Sequence, residues 1–168
     1  RPIAILGDLQ GPKIRIGLFK KTFAVLKNNQ RFILDLNPKE GDHNRVFLPH
    51  KEIFKSVKKN KKILIDDVKI ILNIDKVLSD QIITEVLVGG KISNRKGVNI
   101  PETFIKMSSL TEKDVKDLKF CLDLSLDYIA LSFVQKAKDL NDLKKYVGNQ
   151  TWIMAKFEKP LAIKNMNE

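Results

Sequence analysis

The stretch that decides the fold is Asp127-Tyr128-Ile129-Ala130-Leu131-Ser132-Phe133-Val134, a short apolar run. Its length and composition predict a buried strand. A capping-box signature, Thr111-Glu112-Lys113-Asp114, lies upstream, and apolar residues follow it at helical spacing. We therefore predict a helix over residues 114–124 that leads into the strand. Cys121, the single cysteine, falls inside this helix and is expected to be a buried structural thiol.

The same alternation continues on both sides of this stretch. Downstream, a helix is predicted from Ala137 to Val147 with Gly148 as its terminator, followed by a strand over residues 151–157. Pro160 suits the first turn of a further helix. Upstream, residues 3–6 form an unbroken apolar run, which predicts a strand buried on both faces. Alternating strands and helices predict an α/β fold with a parallel sheet and about three βα units.

Between these elements the pattern changes to short alternating runs separated by turn residues. The runs are residues 15–19, 22–26, 31–36, 45–48, 61–65, 69–74 and 81–88. This spacing predicts a compact all-β module, a small barrel, inserted after the first strand. The predicted segments are therefore residues 1–12 and 102–168 of an α/β domain, with residues 13–101 as the inserted β module.

Charge and composition exclude some classes of protein and leave others open. The formal net charge of +11 would suit a nucleic-acid partner, but the lysines are spread over nearly every segment and aromatic residues are 7% of the chain. We therefore expect no nucleic-acid partner. No apolar run approaches the roughly 20 residues of a membrane span, and the N-terminus lacks the layout of a secretory signal. With one cysteine, a protein of the reducing cytoplasm is expected.

Polar residues follow each predicted parallel strand, at the edge of the sheet where catalytic groups of βα folds collect. They are Asp8, Ser132 with Gln135, and Lys156 with Glu158. A lysine at the end of a buried strand needs a charge partner or a ligand. Spacing alone also allows an exposed ion pair for Lys156 and Glu158, and a turn-forming role for Asp8. Residues 89–97 combine glycines with cations, which suits phosphate contact, but the pattern matches no known phosphate-binding motif and a basic turn is the favoured interpretation.

Five ordered motifs resemble the pyruvate kinase family, and bacterial members most of all. The motifs are residues 8–15 (beginning Asp8-Leu9-Gln10-Gly11-Pro12), 94–101, 110–114, 130–134 and 154–160. Together they span nearly the whole chain, and the β module falls where that family carries its inserted lid. The resemblance implies part of a TIM (β/α)8 barrel interrupted by an all-β lid, a fragment expected to be inactive alone. Val68 departs from the family, which usually has glycine there.

The resemblance implies phosphoryl transfer from phosphoenolpyruvate to ADP, giving pyruvate and ATP. Lys156 would stabilise the transition state as the catalytic lysine, and Glu158 would hold magnesium or manganese. Arg15 and Lys96 would contact the nucleotide phosphates. A cytoplasmic homotetramer is implied for the full-length enzyme.

Asp8 matches a potassium ligand of the family, but its neighbourhood departs from that of potassium-dependent members. Lys13 stands where those members usually have glutamate, and family members with lysine there tend not to need potassium. An ammonium group can supply the positive charge that the ion would bring. We therefore expect that potassium is not required, and that Lys13 replaces it.

Two other classes stay open at this point. A magnesium-dependent lyase acting on pyruvate or phosphoenolpyruvate could also use a strand-end lysine and glutamate, with Lys156 forming a Schiff base. The basic β module could instead bind single-stranded nucleic acid.

Overall fold

The computed structural model describes residues 3–101, 103 and 107–168, which form a mixed α/β structure. The chain divides into a first unit, Arg1–Pro12 with Met107–Glu168, and a second unit, Lys13–Lys106. The predicted boundary at residue 102 lies outside the described residues. Among the described residues, no helix combines the length and apolar composition that a bilayer span requires.

In chain order, the elements of the described residues are β1 (Leu6–Leu9), β2 (Phe23–Leu26), β3 (Arg31–Asp35), β4 (Arg45–Phe47), α1 (Lys51–Ser56), β5 (Lys62–Ile65), β6 (Ile70–Val77), β7 (Gln81–Val88), β8 (Gly90–Ser93), β9 (Val98–Asn99), α2 (Glu112–Asp123), β10 (Tyr128–Leu131), α3 (Ala137–Val147), β11 (Trp152–Ala155) and α4 (Pro160–Lys164).

The first unit contains a three-stranded parallel sheet in the order β1-β10-β11. The predicted parallel sheet is thus confirmed. Its strands align at their carboxyl ends, because Leu9 pairs with Leu131 and Leu131 with Ala155. Buried apolar residues of the sheet and of α2 and α3 form one core; they are Leu9, Leu118, Ile129, Leu131, Val134, Leu143 and Val147.

The helix ends follow the predicted signals. Thr111 is the N-cap of α2: its hydroxyl accepts a hydrogen bond from the Asp114 backbone N–H, and the Asp114 carboxylate accepts from the Thr111 N–H. This reciprocal arrangement confirms the capping box. Asp114 also accepts from the Gly11 N–H at 3.1 Å, which ties the start of α2 to the chain just after β1. Gly148 ends α3 with φ 54°, a conformation that favours glycine.

The predicted first strand is displaced along the chain. Ile3 and Ile5 are 73% and 43% exposed, and the strand begins only at Leu6. Gly7 explains the register, because a Cβ at that position would lie 2.8 Å from the sulfur of Cys121. Gly7 and Leu9 therefore face inward while Asp8 faces outward. The prediction of a strand buried on both faces is wrong, since β1 alternates. Cys121 itself is partly buried against the core.

The second unit is dominated by a six-stranded sheet in the order β4-β3-β7-β6-β5-β9, with β2 and β8 as a separate antiparallel pair. Large apolar side chains from this sheet are fully buried, among them Phe32, Leu34, Ile63, Leu72 and Ile82. The six-stranded order has two free ends, so closure into a barrel stays a prediction.

Two predictions for this unit are wrong, and one short helix was not predicted. Residues 15–19 form only isolated bridges, at Arg15 and Phe19, and not a strand. Residues 51–56, for which the sequence predicted no element, form the short helix α1, in which Ile53 and Phe54 are buried. Residues 90–93 form β8 instead of a basic turn, because Ile92 is completely buried and the segment pairs with β2.

Candidate active site at the strand ends of the first unit

The aligned carboxyl ends of β1, β10 and β11 bring the predicted site residues of the first unit together. Asp8 lies within β1 and pairs with Ala130 of β10. Lys156 directly follows β11, and its backbone N–H donates to the Leu131 carbonyl at 3.0 Å. The parallel hydrogen bonding thus continues through Lys156. The backbone position of Lys156 is therefore set by the sheet and not by a loop.

The Lys156 ammonium group lies between two carboxylates. Its Nζ is 3.0 Å from both carboxylate oxygens of Asp8 and 3.7 Å from Oε1 of Glu158. The hydrogen bond to Asp8 is the main cause that raises the pKa of Lys156; partial burial opposes it, and the charge of Glu158 reinforces it. Lys156 is therefore held as a cation at the strand ends. The sequence also allowed Asp8 a purely turn-forming role. The structure does not support that role, because the Asp8 side chain contacts Lys156 across the sheet.

Glu158 is fixed from its other side by a backbone group. The Phe133 N–H donates to Oε2 of Glu158 at 2.9 Å. Phe133 has φ 57°, a left-handed conformation that is uncommon for a bulky residue. Such backbone conformations concentrate at functional sites. This local geometry gives Glu158 a defined position, with Oε1 towards Lys156.

Sequence reasoning assigned no role to Ser132, which the structure places at the centre of the site. The side chain is buried, and its hydroxyl donates to the Leu9 carbonyl at 2.7 Å. The hydroxyl oxygen also lies 3.4 Å from Oδ1 of Asp8. Ser132 therefore joins the end of β10 to the end of β1. Its position directly after the buried strand was the only available signal. Gln135 is less central: its backbone N–H donates to Asp139 at the start of α3.

The carboxylates fit a divalent cation only in part. Magnesium is usually held by one or two carboxylates together with waters and substrate oxygens. Glu158 fits one such position, because it is half-exposed and anchored through only one of its oxygens. Within residues 3–101, 103 and 107–168, no group of three or more His, Cys, Asp or Glu side chains is arranged to hold a metal ion. Asp8, which the resemblance matches to a potassium ligand, contacts the Lys156 ammonium group with both of its oxygens in this structure.

The predicted nucleotide-binding residues lie together in the second unit. Arg15 forms a bridge with Gly97, next to Lys96, and donates from Nη1 to the Arg95 carbonyl at 2.9 Å. The Lys96 ammonium is 2.9 Å from Oδ1 of Asp66, and this hydrogen bond is the main cause that lowers the pKa of Asp66. The chain therefore enters and leaves this unit through adjacent, cation-bearing segments.

Comparison with known proteins matches the whole chain to one family. The family model described as pyruvate kinase, barrel domain, matches residues 1–168. A pyruvate kinase of Methylorubrum extorquens is 48% identical over 168 residues, which cover 100% of this chain and 35% of the relative. A pyruvate kinase of Agrobacterium vitis is 44% identical over 168 residues, covering 99% of this chain and 35% of the relative.

A third relative matches the chain to a similar extent. A pyruvate kinase of Buchnera aphidicola subsp. Schizaphis graminum is 42% identical over 170 residues, which cover 98% of this chain and 35% of the relative. The chain thus spans about a third of the length of the curated relatives that it matches. Since the family model covers every residue and the relatives align along the full chain, this chain belongs to the pyruvate kinase family.

Proposed function

We propose that the protein containing this chain transfers the phosphoryl group of phosphoenolpyruvate to ADP, giving pyruvate and ATP. The observation that carries this proposal is the Lys156 ammonium, held at the strand ends between Asp8 and Glu158. The chain's membership of the pyruvate kinase family supports the choice of reaction. The active unit is proposed to be the longer protein, because its relatives are about three times as long as this chain.

The finer architecture is proposed on the same basis. The first unit would be part of a (β/α)8 barrel, because its three strands are parallel and alternate with helices. The second unit would be the inserted lid, because it is built almost wholly of strands between β1 and α2. A cytoplasmic homotetramer is proposed by family relation alone.

Lys156 is proposed to contact the transferring phosphoryl group. Phosphoryl transfer relies mainly on alignment and on cations that face the oxygens where charge develops. An ammonium fixed on a sheet meets this requirement without reorganisation during the reaction. Glu158 would hold magnesium or manganese, which neutralises and bridges phosphate oxygens when bound. The Phe133 N–H keeps the other oxygen of Glu158 in place.

Arg15 and Lys96 are proposed to bind the nucleotide phosphates. The two residues lie on adjacent segments of the second unit, and the Lys96 side chain stays partly exposed while its ammonium group contacts Asp66. Potassium is proposed not to be required, with Lys13 supplying the replacing charge. The pairing of Asp8 with Lys156 supports the absence of a potassium requirement, because that carboxylate already faces an internal cation. The role of Lys13 is proposed from the family resemblance alone.

The lyase alternative receives less support from the same geometry. A Schiff base forms on a neutral amine. Lys156 is flanked by two carboxylates, an environment that favours the ammonium form. The nucleic-acid alternative is not favoured either, because the exposed ring of Phe23 in the second unit already contacts Lys91, whose Nζ lies 4.4 Å from the ring centroid.

The test is Lys156→Met in the full-length protein. Loss of a cation that stabilises the transition state should lower kcat by a factor on the order of 10³. Lys145→Met is the matched control, because it removes an exposed lysine that pairs with Asp142 on α3. The control should keep the wild-type rate. A Lys156→Met enzyme within tenfold of wild type would show that this lysine does not carry the reaction.

A further inference from the structure

Asp8 and Lys156 form a contact that spans most of the chain. They are 148 residues apart, and Nζ of Lys156 lies 3.0 Å from each carboxylate oxygen of Asp8. Equal distances place the ammonium on the bisector of the carboxylate, in place of a contact with a single oxygen. Both side chains are partly exposed, so the pair contributes little to overall stability. Its significance lies in where it holds the ammonium group.

The backbone of Asp8 is held in place by the sheet. The residue is paired within β1, and the Ser132 hydroxyl bonds the carbonyl of the next residue, Leu9, at 2.7 Å. A group supported by regular structure and buried hydrogen bonds holds its geometry better than one on a loop. Asp8 is therefore the more rigid partner, and the long Lys156 side chain is the one that it restrains.

Glu158 would attract the same ammonium if Asp8 were absent. Nζ of Lys156 lies 3.7 Å from Oε1 of Glu158, against 3.0 Å from the oxygens of Asp8. Asp8 therefore keeps Lys156 at a distance from Glu158. That separation leaves one glutamate oxygen accessible to another ligand, while the Phe133 N–H restrains the other oxygen.

We propose that Asp8 is a positioning residue for Lys156, acting through the ammonium group and not as a ligand of a monovalent ion. This inference rests on the proposed phosphoryl transfer from phosphoenolpyruvate. It gives Asp8 an identified partner, because both of its carboxylate oxygens face the Lys156 ammonium group.

The test is a set of variants of the full-length protein: Asp8→Asn, Asp8→Glu, Lys156→Met, Lys156→Arg, and Asp8→Asn combined with each lysine change. Asp8→Asn should lower kcat about 10²-fold, the loss that a misplacement of about 1 Å can cause, while the KM for ADP changes less than about twofold. Asp8→Glu retains the charge, so its kcat should be at least about tenfold higher than that of Asp8→Asn. Asp142→Asn, which breaks an exposed aspartate–lysine pair on α3, is the matched control and should keep wild-type kinetics.

The decisive measurement is whether the losses in kcat caused by the Asp8 and Lys156 substitutions multiply in the double variants. If Asp8 acts through Lys156, adding Asp8→Asn to either lysine variant should change kcat less than about threefold, because the group that it positions is already altered. Lys156→Arg keeps a cation, so its turnover stays measurable if Lys156→Met falls below detection. Multiplicative losses in the double variants would overturn the inference, and so would full activity of Asp8→Asn.

Potassium supplies an independent readout. Each enzyme is assayed with sodium alone and then with added potassium, and the ratio of the two rates should be the same for wild type and Asp8→Asn. A changed ratio would make Asp8 a potassium ligand and overturn the positioning role. The proposed function fails separately, through a Lys156→Met single variant that retains its rate, so the two failures are distinguishable.

Discussion

Asp66 holds the ammonium group of Lys96 at 2.9 Å within the second unit. Asp66 begins the turn between β5 and β6, and its backbone N–H donates to the Gly97 carbonyl at 3.1 Å. Two contacts therefore join this turn to the segment that bears Lys96. The cation proposed to meet nucleotide phosphate is thus restrained before any phosphate arrives.

Lys96→Ala and Arg15→Ala should weaken ADP binding more than phosphoenolpyruvate binding. Each change removes a proposed phosphate partner and leaves Lys156 and Glu158 intact. Steady-state kinetics should show the KM for ADP raised by about tenfold or more, as expected for a lost charged contact of about 1.5 kcal/mol. Lys59→Ala, at an exposed position of the same unit, is the control. A change confined to the KM for phosphoenolpyruvate would contradict the assignment.

Val68→Gly should stabilise the second unit. Asp67 and Val68 are the central residues of the β5–β6 turn, with φ 52° and 72°, and the Lys69 N–H donates to the Asp66 carbonyl at 3.1 Å. A left-handed conformation costs a non-glycine residue about 1–2 kcal/mol, and glycine avoids this cost. The expected gain in the free energy of unfolding is about 1 kcal/mol.

Thermal unfolding of the full-length protein, with hydrogen exchange of β5 and β6 to localise the effect, measures this gain. Val25→Gly is the matched control, since Val25 is an exposed strand residue with an ordinary conformation. There glycine should lower stability. If both changes destabilise the unit, the turn is not strained at Val68.

His50 should make the stability of the second unit depend on pH below about neutrality. Burial lowers the pKa of His50 from its ordinary 6.5, and the nearby Glu52 opposes this only partly. As pH falls below 6.5, the unfolded chain takes up a proton that the folded unit resists, so stability is lost as pH falls through the folded pKa. His50→Gln should flatten the decline in melting temperature on acidification. His43→Gln, at an exposed position, should leave the decline intact. If the melting temperatures of the wild type and both variants fall equally with pH, His50 is not the cause of the decline.

The full-length enzyme should need a divalent cation but not potassium. With sodium or tetramethylammonium as the only monovalent cation, addition of potassium should activate it less than about tenfold, or roughly 1.4 kcal/mol. Lys13→Glu removes the proposed replacing charge and should lower activity in the absence of potassium. Strong activation of the wild-type protein by potassium would refute the replacement.

Regular elements with clear end signals were predictable from the sequence. The Thr111 capping box, the Gly148 terminator and the apolar run before Ser132 each act locally, and each is found as expected. The failures occurred where tertiary packing decides. Residues 51–56 are too few to show helical periodicity, and β8 forms only because β2 lies beside it.

The sequence points to the residues of the candidate site but not to the contacts between them. A strand-end lysine and glutamate stand two residues apart and can be recognised by spacing. Asp8 and Lys156 meet only because β10 pairs with both β1 and β11 in a fixed register. The same register brings the Ser132 hydroxyl to Leu9, across 123 residues of sequence. No local pattern encodes such long-range distances.

The adjacent ends of the second unit affect how the chain can fold. The Val98 N–H donates to the Ile14 carbonyl at 2.9 Å, and the Ile16 N–H donates to the Lys96 carbonyl at 3.1 Å. Once these bonds form, residues 14–16 and 96–98 lie side by side, although some 80 residues separate them in sequence. The loop that must close before β1 can pair with β10 is then short, and its entropic cost falls with it. Early folding of the insertion would therefore lower the effective contact order of the sheet around it and favour faster assembly of that sheet.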